Sequence, residues 1–290
     1  MKTHLCPLGI GPAEQGLSDT ISPVPPCVSL CMSSELLSER IGPVLVLTLS
    51  DSATRNTLSQ PLIEAAVDAL NQARSDRELR AVVLRGAASH FCAGGNLQGL
   101  LERRAKGPAA QLQMLGHLHG FIEALRAFPK PVIAAVDGAA AGAGFSIALA
   151  CDQIVAAQDA RFILSYGRIG LSPDGGATWS LMQALPRARV QQLLWLAEPV
   201  SAQQLFDWGL VAEVTASGQS FDAAMRLADR LATMAPNAVA SAKELLQQAG
   251  GRSLNEQLAA ERDHLMATLF HDNGAEGLNA FIEKRAPNFR

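Results

Sequence analysis

The stretch "GRIGLSPDGGATWSL", Gly167 to Leu181, holds one carboxylate, Asp174, between Pro173 and the pair Gly175-Gly176. Two readings of it are open. Pro-Asp-Gly is a favoured turn tripeptide, because proline presets φ and aspartate bonds its own backbone. A single carboxylate among apolar and small residues is also what a general acid/base needs to move a proton between two atoms of a bound molecule.

Two glycine-rich turns lie upstream. "HFCAGGNLQGL" (His90–Leu100) follows the run "AVVLRG" (Ala81–Gly86), and "DGAAAGAGFSIALACD" (Asp137–Asp152) follows Pro131–Val136. Small residues at such turns let a ligand approach the backbone, so that N–H groups become donors. A helix beginning near Gly142 would add unpaired N–H groups and a positive dipole end. Two N–H groups from separate turns aimed at one oxygen would form an oxyanion hole; close packing of the two turns is the alternative. Neither turn matches GxGxxG or GxxxxGK[ST], so nucleotide-phosphate binding is not indicated.

These turns need elements to hold them. "VLVLTL" (Val44–Leu49) and "AVVLRG" read as strands. Between them "SQPLIEAAVDALNQARSD" spaces its apolar residues as a helix does, with Ser59 as N-cap. A second unit follows: a helix across Leu112–Leu125, the strand "PVIAAV", a helix at Gly144–Ala150, and the strand "QIVAA". Strands alternating with helices imply βαβ units and a mainly parallel sheet. Beyond Ala177 the chain reads as almost wholly helical. Ser201 with Gln204, and Ser253 with Glu256, are capping-box signatures for two helix starts.

Composition narrows the function classes. The 290 residues are 48% apolar and 18% charged, enough for one large core. A net charge of −3 without a long basic run argues against nucleic acid as partner. The longest apolar stretch, Pro131–Cys151, is broken by Asp137 and glycines, so no membrane span is expected. The five cysteines (Cys6, Cys27, Cys31, Cys92 and Cys151) lack histidines at zinc spacing, and no metal site is expected. They read as reduced thiols of a cytoplasmic protein. Residues 1–33 are rich in Pro, Gly and Ser and read as a loosely ordered extension; Pro23, Pro25 and Pro26 interrupt any signal-like core.

"FCAGGNL", "PKPVIAAVDGAAAGAGFSIALACD", "IGLSPDGGATWSL" and the ending "FIEKRAPNF" together resemble the crotonase, or enoyl-CoA hydratase/isomerase, superfamily, from about Ser34 to Arg290. The resemblance implies an α/β fold: a crotonase-like spiral of ββα units over 34–227 and a C-terminal helical trimerisation region over 228–290. It implies a homotrimer or dimer of trimers acting on acyl-CoA thioesters, with no cofactor beyond the coenzyme A of the substrate. The shared step would be stabilisation of a thioester enolate by two backbone N–H groups. By position these belong to Gly95 and Ala143. Arg55, Ala93, Gly95, Asn96, Leu97, Gln98, Ala143, Ser146 and Tyr166 would line the substrate.

The chain also departs from the family's hydratases, which use two glutamates. The first belongs two residues after "GAG", where Ser146 stands; the second belongs four residues before Gly170, where Tyr166 stands. A serine hydroxyl without a base and a phenol titrating near 10 cannot do carboxylate work. The resemblance runs nearest to the phenylacetate-pathway ring-epoxide acyl-CoA isomerases, where an aspartate at the place of Asp174 is the acid/base. An acyl-CoA isomerase with Asp174 catalytic is therefore expected. A hydratase lacking both glutamates and a catalytically idle acyl-CoA-binding subunit are the alternatives.

Other residues read more plainly. His117 and His119, at i and i+2 of a helix, point to opposed faces and cannot share an ion. His119 is expected to line a pocket or the core with Leu115 and Ile122. Cys92 and Cys151 are expected as buried thiols, and Trp179 and Trp195 as core residues. "ERRAK" (Glu102–Lys106) is expected as a solvated, mobile loop. Phe281 and Lys284 match family positions that can touch coenzyme A from a neighbouring subunit, with helix packing and solvation as the alternative.

Overall fold

The computed structural model describes residues 34–290 apart from Ser52. The extension expected over 1–33, with Cys6, Cys27 and Cys31, lies outside the described residues.

Strands β1 (Glu35–Ile41) and β2 (Val44–Ser50) form an antiparallel hairpin whose turn places Gly42 at φ 55°. Helix α1 (Gln60–Ala73) follows, with Ser59 Oγ accepting from Leu62 N as the expected N-cap. Then come β3 (Ala81–Gly86), α2 (Leu97–Lys106), α3 (Pro108–Arg126), β4 (Val132–Val136) and β5 (Ala139–Ala141). Helix α4 (Ala143–Ala150), β6 (Gln153–Ala157) and β7 (Arg161–Ile163) complete the middle of the chain. The remainder is α5 (Ala177–Ala184), α6 (Arg187–Leu196), β8 (Val200–Ser201), α7 (Ala202–Asp207), β9 (Glu213–Thr215), α8 (Ser220–Ala232), α9 (Pro236–Ala249), α10 (Leu254–Leu269) and α11 (Asp272–Glu283). Both capping boxes, Ser201 with Gln204 and Ser253 with Glu256, are present.

The main sheet has the order β1-β2-β3-β4-β6-β9 and is parallel from β2 onward. Its inner strands β2, β3, β4 and β6 are buried on both faces, which explains why they read as unbroken apolar runs. Leu45, Leu47, Val82, Leu84, Ala134 and Ile154 enter one cluster with α1, α3 and α4. The alternate residues Val44, Val46, Val83, Ile133 and Val155 enter a second cluster under Ala223, Ala224 and Ala228 of α8. The residue 227/228 division expected from the sequence falls inside α8, whose Ala223, Ala224 and Ala228 belong to this second cluster. A smaller sheet, β5-β7-β8, packs beside α4, where Phe145 and Phe162 meet with ring centroids 5.0 Å apart. Among the described residues no helix is long and apolar enough to cross a membrane.

Two expectations need correction. "ERRAK" is not a loop but the second half of α2. No residue of this helix is buried; it forms because Asn96 caps it, accepting from Gly99 N at 2.9 Å. Gly107, at φ 97°, then turns the chain into α3, and Arg103 Nε reaches back to Gln111 Oε1 at 2.8 Å. Trp179 and Trp195 are not core residues: α5 buries Ala177 and Leu181, and α6 buries Val190 and Leu193, so both indoles lie on outer faces. Trp195 is 74% exposed, while Trp179 stacks beneath the Arg126 guanidinium.

Helix α9 is pinned to the core by one cation. Lys243 Nζ donates to Asp152 Oδ2 at 2.7 Å and to the carbonyls of Lys130 and Leu125. Burial pushes the Asp152 carboxyl above its ordinary range, and the ammonium opposes that shift. Replacing Lys243 by Met removes the ammonium from this carboxylate, which keeps only the Val132 N–H as donor, and from two carbonyls, and urea denaturation should register a loss of about 2–4 kcal/mol. A carboxyl whose folded pKa is raised favours the folded state only while protonated, so the loss should grow as pH rises.

Candidate active site

The two glycine-rich turns meet through backbone. Cys92 N donates to Ala139 O at 3.0 Å and Ala141 N to Cys92 O at 2.9 Å, so the 90–95 turn runs alongside β5. The approach leaves no room for side chains. A Cβ on Gly94, which sits at φ 90°, would lie 2.5 Å from Ala141 O and 3.3 Å from Ala143 N. A Cβ on Gly144 would lie 2.3 Å from Cys92 O. The close packing anticipated for these turns is real, and it brings the backbone of Gly94-Gly95 beside the first residue of α4.

Gly142 is the N-cap of α4 at φ 51°, and Ala143 is its first residue, buried in helical backbone with its Cβ accommodated. Among the described residues, neither the Gly95 N–H nor the Ala143 N–H finds a protein acceptor. Gly95 borders open space and is exposed. Two unpaired donors beside each other, one at a helix start, form an arrangement that can receive an anionic oxygen.

Asp174 is half-buried and tied to this helix start from the other side. Ser146, one turn into α4 and 1% exposed, directs its Oγ at Asp174 O (3.1 Å) and Gly142 O (3.3 Å). Tyr166 Oη donates to Asp174 Oδ1 at 2.5 Å. Burial first, then the charge of Asp174, pushes the Tyr166 phenol well above its ordinary range, so the ring stays neutral and donates. Gly175 follows at φ 59°; a Cβ there would stand 2.8 Å from Ser146 Cβ and 3.7 Å from Leu118 Cδ2 of α3. The structure thus brings together Ser146, Tyr166 and Asp174, three positions singled out in the sequence.

The other candidates are placed unequally. Arg55 is exposed at φ 61°, and its carbonyl accepts from Ala93 N at 3.0 Å, so it touches the turn through its backbone. The Asn96 side chain is engaged as the cap of α2. Leu97 and Gln98 are exposed on the first turn of that helix. His119 is exposed, contrary to its expected place in a pocket or the core, because α3 buries Leu118, Phe121, Ile122 and Leu125 instead. His117 turns away toward Glu64 of α1, with Nδ1 3.5 Å from Oε1. Burial pushes the Cys92 thiol up to about 12 and raises Cys151 further, which makes both poor nucleophiles. Phe281 is 86% exposed and Lys284 sits at φ 56° just past the end of α11.

Sequence reasoning missed Asn56. It is buried at φ 60°, its Nδ2 donating to Ala87 O and His90 O and its Oδ1 accepting from Asp51 N. This staple fixes the base of the 90–95 turn. Asparagine's tolerance of the left-handed region was the available signal.

Comparison with known proteins agrees with these motifs. A family model described as Enoyl-CoA hydratase/isomerase matches residues 39–290. The 1,2-epoxyphenylacetyl-CoA isomerase of Escherichia coli (strain K12) is 34% identical over 262 residues, covering 89% of this chain and 99% of that protein. A 2,3-dehydroadipyl-CoA hydratase of the same organism is 35% identical over 257 residues, covering 89% of this chain and 99% of that protein. The crystal structure of an enoyl-CoA hydratase from Polaromonas sp. JS666 matches with a TM-score of 0.87 at 50% identity, covering 88% of this chain and 100% of that one.

The contact of Gly175 with Ser146 gives a direct check on the site's packing. Gly175→Ala should force the 173–176 turn off α4, since its Cβ meets Ser146 and its φ disfavours any side chain. Thermal unfolding should show a destabilisation of about 1–3 kcal/mol with the fold retained by circular dichroism.

Proposed function

The chain belongs to the enoyl-CoA hydratase/isomerase, or crotonase, family and has its fold; from that premise we propose that it is an acyl-CoA isomerase with Asp174 as its single acid/base. The observation that carries this reading is the carboxylate beside the start of α4, where the Gly95 and Ala143 N–H groups are unpaired.

In the proposed reaction the thioester oxygen of an acyl-CoA lies against the N–H groups of Gly95 and Ala143. Asp174 takes a proton from a carbon of the acyl group, and the electron pair moves onto the thioester as an enolate. The N–H groups are fixed before charge develops, and each such donor contributes roughly 2.7–4 kcal/mol of transition-state stabilisation. The proton then returns from Asp174 to a different atom of the conjugated acyl group, either carbon or the oxygen of an opening ring. Net composition is unchanged, as isomerisation requires. Backbone of Arg55 and Ala93 and the stretch from Gly95 to Gln98 would line the thioester arm. No cofactor beyond the coenzyme A of the substrate is invoked.

A hydratase reading is favoured by the likeness to relatives such as the 2,3-dehydroadipyl-CoA hydratase. It meets the difficulty that Ser146 and Tyr166 offer hydroxyls where that chemistry uses carboxylates. We also assign a trimer. The outer faces of α10 and α11 expose Leu254, Leu258, Leu265, Phe270, Phe281 and Ile282, an apolar surface of the kind that marks a protein interface.

Asp174→Asn keeps the side chain's shape and removes its basicity. Deuterium exchange from solvent into the acyl carbons of an enoyl-CoA should fall by about 10²–10⁴-fold with binding retained. Unchanged exchange would overturn Asp174 as the acid/base, and water uptake by crotonyl-CoA at rates above isomerisation would favour the hydratase. Sedimentation equilibrium should give three or six chain masses, and a pair of charges at Phe281 and Ile282 should shift that mass toward the monomer.

A further inference from the structure

Tyr166 does more than fill space beside Asp174. It lies in the short 3-10 turn Ser165–Ile169, 9% exposed, with its carbonyl accepting from Leu171 N at 3.0 Å. The left-handed Gly170 at φ 71° closes that turn. The phenol rests on the N-terminus of α4: a Cβ on Gly142 would be 3.6 Å from Tyr166 Oη. Gly142 is itself tied to β7 through Ile163 O at 2.9 Å. The ring is therefore anchored to the same helix start that presents the Ala143 N–H. Its hydroxyl donates to Asp174 Oδ1 at a distance typical of a hydroxyl bonded to an anion, and the Ser146 side chain and Asp174 backbone also act on it.

We propose that Tyr166 is the positioning residue for Asp174: its hydroxyl holds Oδ1, fixes the plane of the carboxyl group relative to the Ala143 N–H, and leaves Oδ2 as the oxygen that takes and returns the proton. This rests on the reading of Asp174 as the acid/base. Ser146 holds the backbone of Asp174 through its carbonyl, and Tyr166 holds the side chain, so main chain and carboxyl group are constrained separately. The phenol never transfers a proton itself, because it remains neutral before and after the step.

Few charges compete with this bond. Helix α4 carries no titratable group. On α3, His117 is engaged with Glu64 and His119 is exposed. On α6, which packs against the 3-10 turn, Arg187 is exposed and Arg189 stacks over Trp208. Arg168, on the turn itself, is exposed, and α5 has no titratable side chain.

The test is Tyr166→Phe, which keeps the ring and deletes one oxygen, measured beside Asp174→Asn. The expected result for Y166F is a kcat lower by about tenfold or more with a KM within about twofold, a split that a loss of folded protein alone would not produce. An unchanged kcat in Y166F, with D174N inactive, would overturn the positioning role and leave Asp174 standing; an active D174N would overturn both. Tyr166 is the single tyrosine of the chain, so biosynthetic 3-fluorotyrosine gives a second readout in the otherwise native protein. Its one fluorine resonance should differ in chemical shift between the native protein and D174N, where the carboxylate acceptor is replaced by an amide. A resonance insensitive to D174N would overturn the hydrogen bond, whatever the folding yield of Y166F.

Discussion

The close approach of the 90–95 turn to the start of α4 is the constraint on which the rest of the site depends. It is a contact of backbone against backbone, made possible by two missing side chains. Gly94 and Gly144 each face the other turn at distances no Cβ could occupy. The strands behind them set the geometry: β3 and β4 are adjacent and parallel, so the loops leaving their C-terminal ends emerge side by side. Asn56 then staples the chain after β2 to the outgoing loop of β3 through Ala87 O and His90 O. Three consecutive parallel strands thus deliver three loops to one point, and the unpaired N–H groups follow from where those loops stop.

Helix α4 supplies no carboxylate in this chain. Seven of its eight residues, Ala143 to Ala148 and Ala150, are buried, and none is charged. A carboxylate on this helix would need a partner in a low-dielectric setting. Ser146 instead satisfies its hydroxyl with two carbonyls, Gly142 O and Asp174 O. That second bond is also the one that draws the Pro-Asp-Gly-Gly turn against the helix. The turn and catalyst readings of Asp174 are consequently compatible: the backbone of Asp174 makes the turn while its carboxyl group faces Tyr166.

Much of this was legible in the residues, and the limits have physical causes. β2, β3, β4, β6 and α1 announced themselves through β-branched runs, helical spacing and the Ser59 cap, because each buries a face in the core. Helix α2 was hidden because it buries nothing; ten residues held by an Asn cap and a Gly-Pro exit leave no apolar stripe to read. β5, the all-alanine segment Ala139–Ala141, has no strand propensity of its own and pairs because β7 lies beside it. The indoles of Trp179 and Trp195 misled because aromatic type was taken for burial, whereas smaller residues on α5 and α6 face inward. Motif position singled out Ser146, Tyr166 and Asp174 together. Their mutual hydrogen bonds could not, since they depend on the φ of Gly175 and the packing of one phenol over Gly142.

The pairing of Tyr166 with Asp174 bears on which chemistry the site favours. Two carboxylates a few ångströms apart repel, and one takes a proton so that the pair holds an acid and a base together. Such a pair can activate water with one member and deliver a proton with the other. A phenol whose ionisation is pushed upward by burial and by its neighbour's charge cannot serve as that second member. It can only stabilise the first. In the proposed reaction this leaves one group that accepts a proton and must return the same proton to the same substrate, because no second acid is poised beside it. Returned at a new position, that proton produces an isomer, which is the outcome the proposed function assigns to this site.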